Sequence, residues 1–394
     1  MALPLDGVTV LDLSQIYNGP YATFLLATAG ADVIKVEPPG GESLRRRGVV
    51  GGAALPFAML NGCKRSLVLN LKTEDGKAIL RGLARTADVL VENFAPGVME
   101  RLGCAALQAA NPRLIYAQSS GFGSTGPYRD YPAMDLTVQA MAGVMSITGF
   151  PDRPPVKAGP ALCDFFVGVH LYGAITTALY ERERTGIGRQ VEVAMMDAVY
   201  PSLSSSLGLH FGTEGEVPPR TGNRHGGLAE APYNVYPATD GYIAIICVGD
   251  VHWRSLLTAM GRQDLADDPR FASLRDRVAH MDEVDAAVSA WTAGRSKEVL
   301  FADLMAHRVP CAPVRSLDEV VHDPHMHERG ALQWQDHPEL GRIVVQHSPL
   351  RFAGSPLREL QPSRALGADT DALLQERLGL SADTVAALHD AKVV

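Results

Sequence analysis

The sequence predicts an α/β fold in which a large domain carries a parallel sheet and a smaller domain is of the α+β type. Two observations support this prediction. Strands and helices alternate over the first half of the chain, and after Pro218 and Pro219 the pattern changes to alternating strands around a tight turn. The chain has 394 residues, which at about 150 residues per domain allows two or three folding units.

The alternation begins with a β–α–β unit. Residues 8–13 form a short β-branched run, 20–29 have a helical pattern and 32–36 form a second run. The pattern continues through a strand at 66–71, a helix at 74–85, strands at 88–91 and 114–118, a long helix at 165–183 and a strand at 190–194. Such alternation predicts a mostly parallel sheet with helices on both faces, in a large Rossmann-like domain.

The second half of the chain predicts the smaller domain. Alternating runs flank Asp240-Gly241, a dipeptide typical of antiparallel hairpins. Helices at 251–260, 281–293 and 297–307 would cover the hairpin, the last of them with Ser296 as its N-cap, and from Pro310 the chain is rich in loops until a final helix after Ser381. We therefore predict a discontinuous large domain of residues 1–200 and 315–394, a small domain of residues 221–314 and a linker at 201–220.

Composition argues against several classes of function. The 44 acidic and 36 basic residues leave a net charge of -8, which repels polyanions and argues against nucleic-acid or anionic membrane partners. No run approaches the roughly 18 to 20 uncharged apolar residues of a membrane span, and the N-terminus has no signal-peptide pattern. The five dispersed cysteines are typical of a reducing compartment. We expect a cytoplasmic protein.

Two motifs resemble a cofactor site and a metal site. The segment Gly121–Gly126 has the glycine spacing of a dinucleotide-binding loop, but residues 127–132 are rich in proline and cannot open the helix that such a loop requires. The histidine-rich segment 322–327 lacks the spacing of helical metal ligands, which favours a polar surface loop. We predict neither a nucleotide redox cofactor nor a metal.

Positive charge is concentrated in one early region. Arg45–Arg47, Lys64, Arg65 and Lys72 lie around an apolar strand. A cluster of this kind suits a multiply phosphorylated ligand such as coenzyme A (CoA), because several phosphates need compensating charge. A solvated protein surface explains the same residues equally well.

Asp164 directly precedes the long predicted helix. On spacing alone an N-cap role is favoured, because a carboxylate there accepts the unpaired N–H groups of the first turn. The same position would also hold a reactive carboxylate among backbone donors that stabilise a developing oxyanion.

Several blocks of the sequence resemble the family III CoA-transferases, which include formyl-CoA transferase, carnitine CoA-transferase and the related 2-methylacyl-CoA racemases. The blocks are residues 29–39, 62–72, 88–97, 120–127 and 159–164. Further similarity at 236–242 and 378–388 extends the resemblance over essentially the whole chain.

The resemblance implies that Asp164 is a nucleophile that forms a mixed anhydride and then an aspartyl-CoA thioester. The CoA contacts that we assign, from the resemblance and from the basic region, are Gln15, Tyr17, Lys64, Arg65, Leu69, Lys72, Asn93, Phe94 and Arg101. The resemblance also implies an interlocked homodimer, with the CoA thioester as a substrate and no permanently bound cofactor.

Departures from the family pattern narrow the function. An arginine of formyl-CoA transferase is replaced by Pro38, which puts formate and oxalate specificity in doubt. The racemases place a histidine where Met134 stands, and methionine cannot exchange a proton. We predict reversible transfer of CoA from an acyl-CoA, such as succinyl-CoA, to a small carboxylate. A racemase and a non-catalytic CoA-binding partner subunit are the alternatives.

Overall fold

The computed structural model describes residues 2–47, 54–103 and 107–394. The chain divides into two compact units. The large unit comprises Met1–Val138, Pro160–Val199 and Val321–Val394, and the small unit comprises Gln139–Gly159 and Tyr200–Val320.

A parallel sheet forms the centre of the large unit. Its strands are β1 (Thr9–Asp12), β2 (Asp32–Glu37), β3 (Arg65–Val68), β4 (Val89–Glu92), β5 (Ile115–Ser120) and β6 (Gln190–Ala194). They lie in the order β3-β2-β1-β4-β5-β6, and Val10 of β1 pairs with Val33 of β2 and with Val89 of β4. The predicted parallel sheet is confirmed, and its order reverses between β1 and β4 as in other doubly wound sheets.

The described residues contain eighteen α-helical segments. They are α1 (Asn18–Thr28), α2 (Leu55–Asn61), α3 (Glu74–Ala84), α4 (Val98–Arg101), α5 (Leu107–Ala110), α6 (Asp135–Met141), α7 (Val144–Ile147), α8 (Leu162–Thr185), α9 (Met195–Val199), α10 (Ser204–Gly212), α11 (Asp250–Met260), α12 (Leu274–Ala279), α13 (Met281–Thr292), α14 (Lys297–Ala306), α15 (Leu317–Val321), α16 (Pro324–Glu328), α17 (Thr370–Leu378) and α18 (Ala382–Asp390).

Helices cover both faces of the large sheet, as the alternation predicts. Val10 and Val33 point into an apolar core that they share with α1 and α8. The next residues along the two strands, Leu11 and Ile34, point into a second core with α3, α17 and α18. Successive side chains of a strand point to opposite faces, so strands buried on both sides become nearly continuous apolar runs.

Helix α8 is the one helix in the described part of the chain that is long and apolar enough to cross a membrane by composition. The sequence predicts this helix at 165–183, but the expectation that no run approaches the composition of a membrane span does not hold for it. Leu171 and Ile175 of α8 are fully buried in the core on the β1 side of the sheet. We therefore interpret α8 as a core helix.

The small unit contains an antiparallel sheet of β7 (Tyr233–Ala238), β8 (Gly241–Ile246) and β9 (Cys311–Pro313). Strands β7 and β8 form the predicted hairpin around Asp240-Gly241. Ser296 accepts the backbone N–H of Val299 and caps α14 as expected.

The division differs from the prediction at three places. The segment predicted as a linker, 201–220, contains α10 and belongs to the small unit. Residues 139–159 belong to the small unit, and so do residues 315–320, which were predicted in the large domain. The reason for the second difference is local pairing. Gly222 donates its N–H to the carbonyl of Gly149 at 3.0 Å, and Arg220 donates to the carbonyl of Phe150 at 3.3 Å.

The C-terminal region holds more regular structure than the sequence indicates. Strands β10 (Leu332–His337) and β11 (Gly341–Gln346) form an antiparallel hairpin. The histidine-rich segment is the short helix α16 rather than a loop, because Asp323 accepts the N–H of Met326 and caps it. The cysteines of the described residues are free thiols, and Cys63 and Cys311 are only half-buried. Cys104 lies outside the described residues.

Candidate active site

The loops after β1 and β4 meet where the strand order of the large sheet reverses. Doubly wound sheets bind their ligands at this point, in the crevice at the carboxyl ends of the strands. Two clefts open along this edge, and both are lined by Gln15 and Phe94. The two clefts therefore adjoin.

The outer cleft lies at the ends of β1, β2 and β3 and has a volume of about 580 Å³. Its lining includes residues 13–15, 36–43 and 69–72, with Phe94, Val98 and Leu102. The aspartate cleft has a volume of about 350 Å³ and is lined by Asp164, Asn18 and Met195 together with the loops 93–96, 119–122 and 129–134. Both volumes fall within the range of small-molecule sites.

Asp164 is the third residue of α8 and is 6% exposed. The helix begins at Leu162, so Ala161 occupies the N-cap position, and its side chain makes no capping bond. The first turn is capped instead by Asp135, whose Oδ1 accepts the backbone N–H of Cys163 at 2.9 Å. The N-cap explanation of Asp164 is therefore wrong, and its carboxylate is left available for chemistry.

A glycine brings α8 close to α1. Gly168 follows Asp164 by about one turn, and a Cβ at this position would lie 2.9 Å from the carbonyl oxygen of Asn18 and 3.0 Å from the ring of Tyr21. Real Cβ atoms do not approach a backbone oxygen so closely, so only glycine allows this crossing. The close crossing places the first residue of α1, Asn18, beside Asp164.

A chain of amide hydrogen bonds joins the β1 and β4 loops to Asp164. Asn93 Oδ1 accepts the backbone N–H of Gln15 at 2.8 Å, and Asn93 Nδ2 donates to the backbone carbonyl oxygen of Gln15, also at 2.8 Å. The same amide donates to Asn18 Oδ1 at 2.6 Å, and Ser119 donates to that oxygen at 3.1 Å. Asn18 Nδ2 in turn donates to Asp164 Oδ1 at 3.1 Å.

The surroundings of Asp164 disfavour its negative charge. Burial and, to a lesser degree, the nearby carboxylate of Asp135 raise the pKa of Asp164, and the hydrogen bond from Asn18 opposes both effects; together they bring the pKa to about 7. A carboxylate that is buried in a cleft and changes charge near neutral pH is typical of active sites.

Most of the predicted CoA contacts lie at the two clefts. Gln15, Leu69, Lys72 and Phe94 line the outer cleft, and Gln15, Asn93 and Phe94 line the aspartate cleft. Two of the other four, Tyr17 and Arg101, lie beside the clefts. Tyr17 stacks on Phe165 with ring centroids 6.0 Å apart, and Arg101 is exposed on α4 next to the cleft residue Leu102.

Lys64 and Arg65 do not line either cleft. Lys64 is 3% exposed, and its ammonium group contacts Asp12, Thr23, Asn61 and the carbonyl oxygen of Pro20 within 3.0 Å. An ammonium has three hydrogens, so none remains for a ligand. We therefore do not retain Lys64 as a CoA contact.

Arg65 pairs with Glu376 at 2.6 Å and with Asp32 at 3.5 Å. Arg45 of the arginine cluster is paired in a similar way, because it donates to both carboxylate oxygens of Glu37. Among the basic residues singled out in the sequence, Lys72 is the one whose exposed side chain lines a cleft.

The sequence reasoning missed Asn18, Ser119 and Asp135. Asn18 comes after strand β1, and Ser119 lies at the end of strand β5. The rule that ligands bind at the carboxyl edge of parallel sheets could therefore have identified both residues. Asp135 is a cap that comes from a distant segment, and spacing along the chain gives no signal for it. In the described part of the chain, no group of three or more His, Cys, Asp or Glu side chains could hold a metal ion.

Comparisons with known proteins show the family of the chain. A family model described as CoA-transferase family III matches residues 5–370. The acetyl-CoA:oxalate CoA-transferase of Acetobacter aceti is 40% identical over 89% of this chain and 90% of its own. The succinate–glutarate CoA-transferase of Agrobacterium fabrum is 37% identical over 95% of both chains.

A solved structure has the same fold. The CaiB/BaiF family protein of Brucella suis is 35% identical and superposes with a TM-score of 0.84, covering 96% of this chain and 100% of that chain. The family model spans most of the chain, and both curated relatives match nearly their full length. The chain therefore belongs to CoA-transferase family III and is a CoA-transferase.

Proposed function

We propose that this enzyme moves CoA reversibly from an acyl-CoA to a small organic carboxylate, with Asp164 as the nucleophile. The observation that carries the proposal is that the buried carboxylate of Asp164 does not cap α8 and lines a cleft at the point where the strand order reverses. Relatives named for oxalate, glutarate, mesaconate and D-citramalate support a small carboxylic acid as the acceptor.

The reaction proceeds in four substitutions. The Asp164 carboxylate attacks the thioester carbonyl, and the carbon–sulfur bond breaks to release CoA thiolate and form a mixed anhydride. The thiolate then attacks Asp164 Cγ, which releases the donor acid and forms an aspartyl-CoA thioester. The acceptor carboxylate displaces the thiolate from Cγ, and the thiolate attacks the new acyl group and frees Asp164. No electron is gained or lost.

The two clefts suit the two ends of an acyl-CoA. The aspartate cleft takes the thioester, because it contains the nucleophile. The outer cleft takes the nucleotide end, and the exposed ammonium of Lys72 at its edge supplies charge for a phosphate. Gln15 and Phe94, which line both clefts, would contact the chain that joins the two ends.

An exposed apolar face supports the homodimer that the family resemblance implies. Phe165, Val169 and Tyr180 of α8 are 37%, 51% and 68% exposed. Large apolar side chains repeated along one helix face mark an interaction surface in a soluble protein. We propose a cytoplasmic homodimer that is interlocked as in the family. Sedimentation of the purified chain would measure its size.

The racemase alternative requires an acid and a base on opposite sides of the α-carbon. Met134, which lines the aspartate cleft, does not titrate, and this favours the transferase. Incubation in deuterium oxide separates the two, because a racemase introduces deuterium at the α-carbon and a transferase does not.

The proposal is tested by incubating the pure protein with succinyl-CoA or acetyl-CoA and a panel of free acids, and by detecting new acyl-CoA products by mass spectrometry. A product with the wild type would also count against a non-catalytic partner subunit. Asp164→Ala should lose the activity, and Asp75→Ala is the matched control, since Asp75 is an exposed aspartate in the first turn of α3. Near-normal transfer by a folded Asp164→Ala protein would reject the nucleophile.

A further inference from the structure

The two oxygens of Asp164 have different surroundings. Oδ1 accepts a hydrogen bond from Asn18 Nδ2 at 3.1 Å. Among the described residues, Oδ1 is the only one of the two oxygens that accepts a hydrogen bond. The carboxylate is therefore held by one oxygen, and Oδ2 is the one left to attack a substrate.

The orientation of the Asn18 amide follows from its neighbours. The backbone N–H of Gly19 points to Asn18 Oδ1 at 2.6 Å. A backbone N–H can only donate, so the atom that it meets must be the amide oxygen. The NH₂ group of Asn18 must then face Asp164.

The neighbouring amide is oriented by the same logic. The backbone N–H of Gln15 meets Asn93 Oδ1, which leaves the NH₂ group of Asn93 to donate to Asn18 Oδ1. With Ser119 as a further donor, Asn18 Oδ1 has three partners that hold the amide in place. The donor that faces Asp164 is therefore preorganised.

We propose that Asn18 is a catalytic residue whose Nδ2 stabilises the negative charge that forms on Asp164 Oδ1 when Cγ of Asp164 is attacked. The proposal rests on the proposed function, because it requires Asp164 to carry the covalent intermediates. In the anhydride and in the aspartyl thioester, Oδ1 is the carbonyl oxygen, and the hydrogen bond from Asn18 polarises that carbonyl.

The atoms balance in each step at Cγ. The thiolate sulfur forms a bond to Cγ of the anhydride, the electron pair of the carbonyl moves to Oδ1, and its return breaks the bond between Cγ and Oδ2. The donor acid leaves as a carboxylate that carries Oδ2. In the next step, a carboxylate oxygen of the acceptor adds to Cγ of the thioester, and the thiolate leaves.

Only two of the four substitutions take place at Cγ. The first and the last occur at the acyl carbon of the substrate, where the charge develops on a substrate oxygen instead. Loss of Asn18 should therefore slow the steps at Cγ far more than the steps at the acyl carbon. A purely structural role for Asn18 would slow all four together.

Two isotope exchanges separate these steps. Exchange of labelled CoA into the acyl-CoA requires only the anhydride, whereas exchange of the labelled donor acid requires attack at Cγ. Both exchanges use one acyl-CoA that is active in the screen above, together with the free acid of the same acyl group. The first combination is succinyl-CoA with labelled succinate. For Asn18→Ala we expect acid exchange to fall by about 100-fold to 1,000-fold, the usual loss for one oxyanion donor, with CoA exchange within about tenfold.

The intermediate that accumulates gives a second readout. Asn18→Ala should build up the anhydride, so hydroxylamine should trap more modified Asp164 than in the wild type at the same substrate concentration. Asn18→Asp is the second variant in case the alanine protein does not fold. It keeps an oxygen for the N–H of Gly19 and, when ionised, removes the donor that faces Asp164.

The outcomes are distinct. Equal loss of both exchanges, or no loss of either, in a folded Asn18 variant would overturn the role of Asn18. Retention of both exchanges by Asp164→Ala would instead overturn the proposed function. Selective loss of acid exchange, with both exchanges abolished in Asp164→Ala, supports both.

Discussion

Asp135 Oδ1 accepts the backbone N–H of Cys163 at 2.9 Å, in the first turn of the helix that carries Asp164. One carboxylate thus has two effects on the site. It satisfies an otherwise unpaired N–H at the helix start, and its charge raises the pKa of Asp164 after the larger effect of burial.

Asp135→Asn should move the pH dependence of the enzyme. The proposed nucleophile, Asp164, must be ionised to react, so kcat/KM of the wild type should fall as the pH drops below about 7, where Asp164 becomes protonated. Asparagine keeps an oxygen for the N–H of Cys163 but removes the charge, so the acid limb should move to lower pH by about one unit. The measurement is the pH profile of kcat/KM, with Asp75→Asn as a control. An unmoved limb would show that Asp135 does not act electrostatically.

Asp164→Asn should make the protein more stable at alkaline pH. The pKa of Asp164 rises from 3.8 to about 7 on folding, so its negative charge lowers the free energy of unfolding. The whole of this loss is present above about pH 7, and none of it is present below about pH 3.8. Removing the charge should raise the free energy of unfolding at about pH 8 by roughly 2 to 4 kcal/mol, and by less at about pH 5. Urea unfolding at both pH values measures this. A gain that is the same at both pH values would refute the explanation.

The large sheet could be predicted because its strands are buried on both faces and are short apolar runs. Strand β2 was predicted at 32–36 and lies at Asp32–Glu37. The hairpin of β10 and β11 could not be predicted in the same way. The apolar alternation of β10 lasts only from Leu332 to Gln335, because three polar residues, Gln335, Asp336 and His337, then follow one another.

The site was harder to predict from the sequence than the fold was. Asp164 looked like an N-cap because the apolar residues Ala161, Leu162 and Cys163 gave no sign that the helix starts before it. Lys64 is wrongly predicted as a CoA contact because its partner, Asp12, is distant in sequence and local charge density carries no information about burial. Spacing alone favoured a cap at Asp164, and the family resemblance favoured a nucleophile.

Lys64→Met should destabilise the protein without altering CoA binding. The substitution leaves the fully buried carboxylate of Asp12 without its ion-pair partner at 2.9 Å. Removing one member of such a pair costs about 3 to 5 kcal/mol. Denaturant unfolding should show this loss, while the KM for acyl-CoA of the folded enzyme stays unchanged. A large rise in KM at unchanged stability would restore Lys64 as a CoA contact.

Lys72→Ala should have the opposite effects. Its side chain is exposed at the outer cleft, so its removal should leave the denaturation midpoint unchanged. Loss of one charged contact to a phosphate should raise the KM for acyl-CoA by about tenfold. Dephospho-CoA thioesters provide a further comparison, because they lack the ribose phosphate. If the variant and the wild type share one KM, the nucleotide end does not occupy the outer cleft near Lys72.

Glu92 is expected to position Phe94, which lines both clefts. Glu92 is buried at the end of β4, where one carboxylate oxygen accepts the N–H of Phe94 at 2.7 Å and the other lies 3.2 Å from the hydroxyl of Tyr116. Burial raises the pKa of Glu92 to about 7. Glu92→Leu removes both acceptors, so the Phe94 loop should shift and the KM for acyl-CoA should rise by about tenfold.

Glu92→Gln is the matched variant, since its amide oxygen still accepts the N–H of Phe94 and its volume is the same. Its KM should stay close to that of the wild type. The glutamine variant cannot ionise, so any change in KM with pH that arises from Glu92 between about pH 6 and 8 should be absent from it. Equal KM values for the leucine and glutamine variants would mean that the hydrogen bond to Phe94 does not set the position of the loop, because the two variants differ chiefly in whether that acceptor is present.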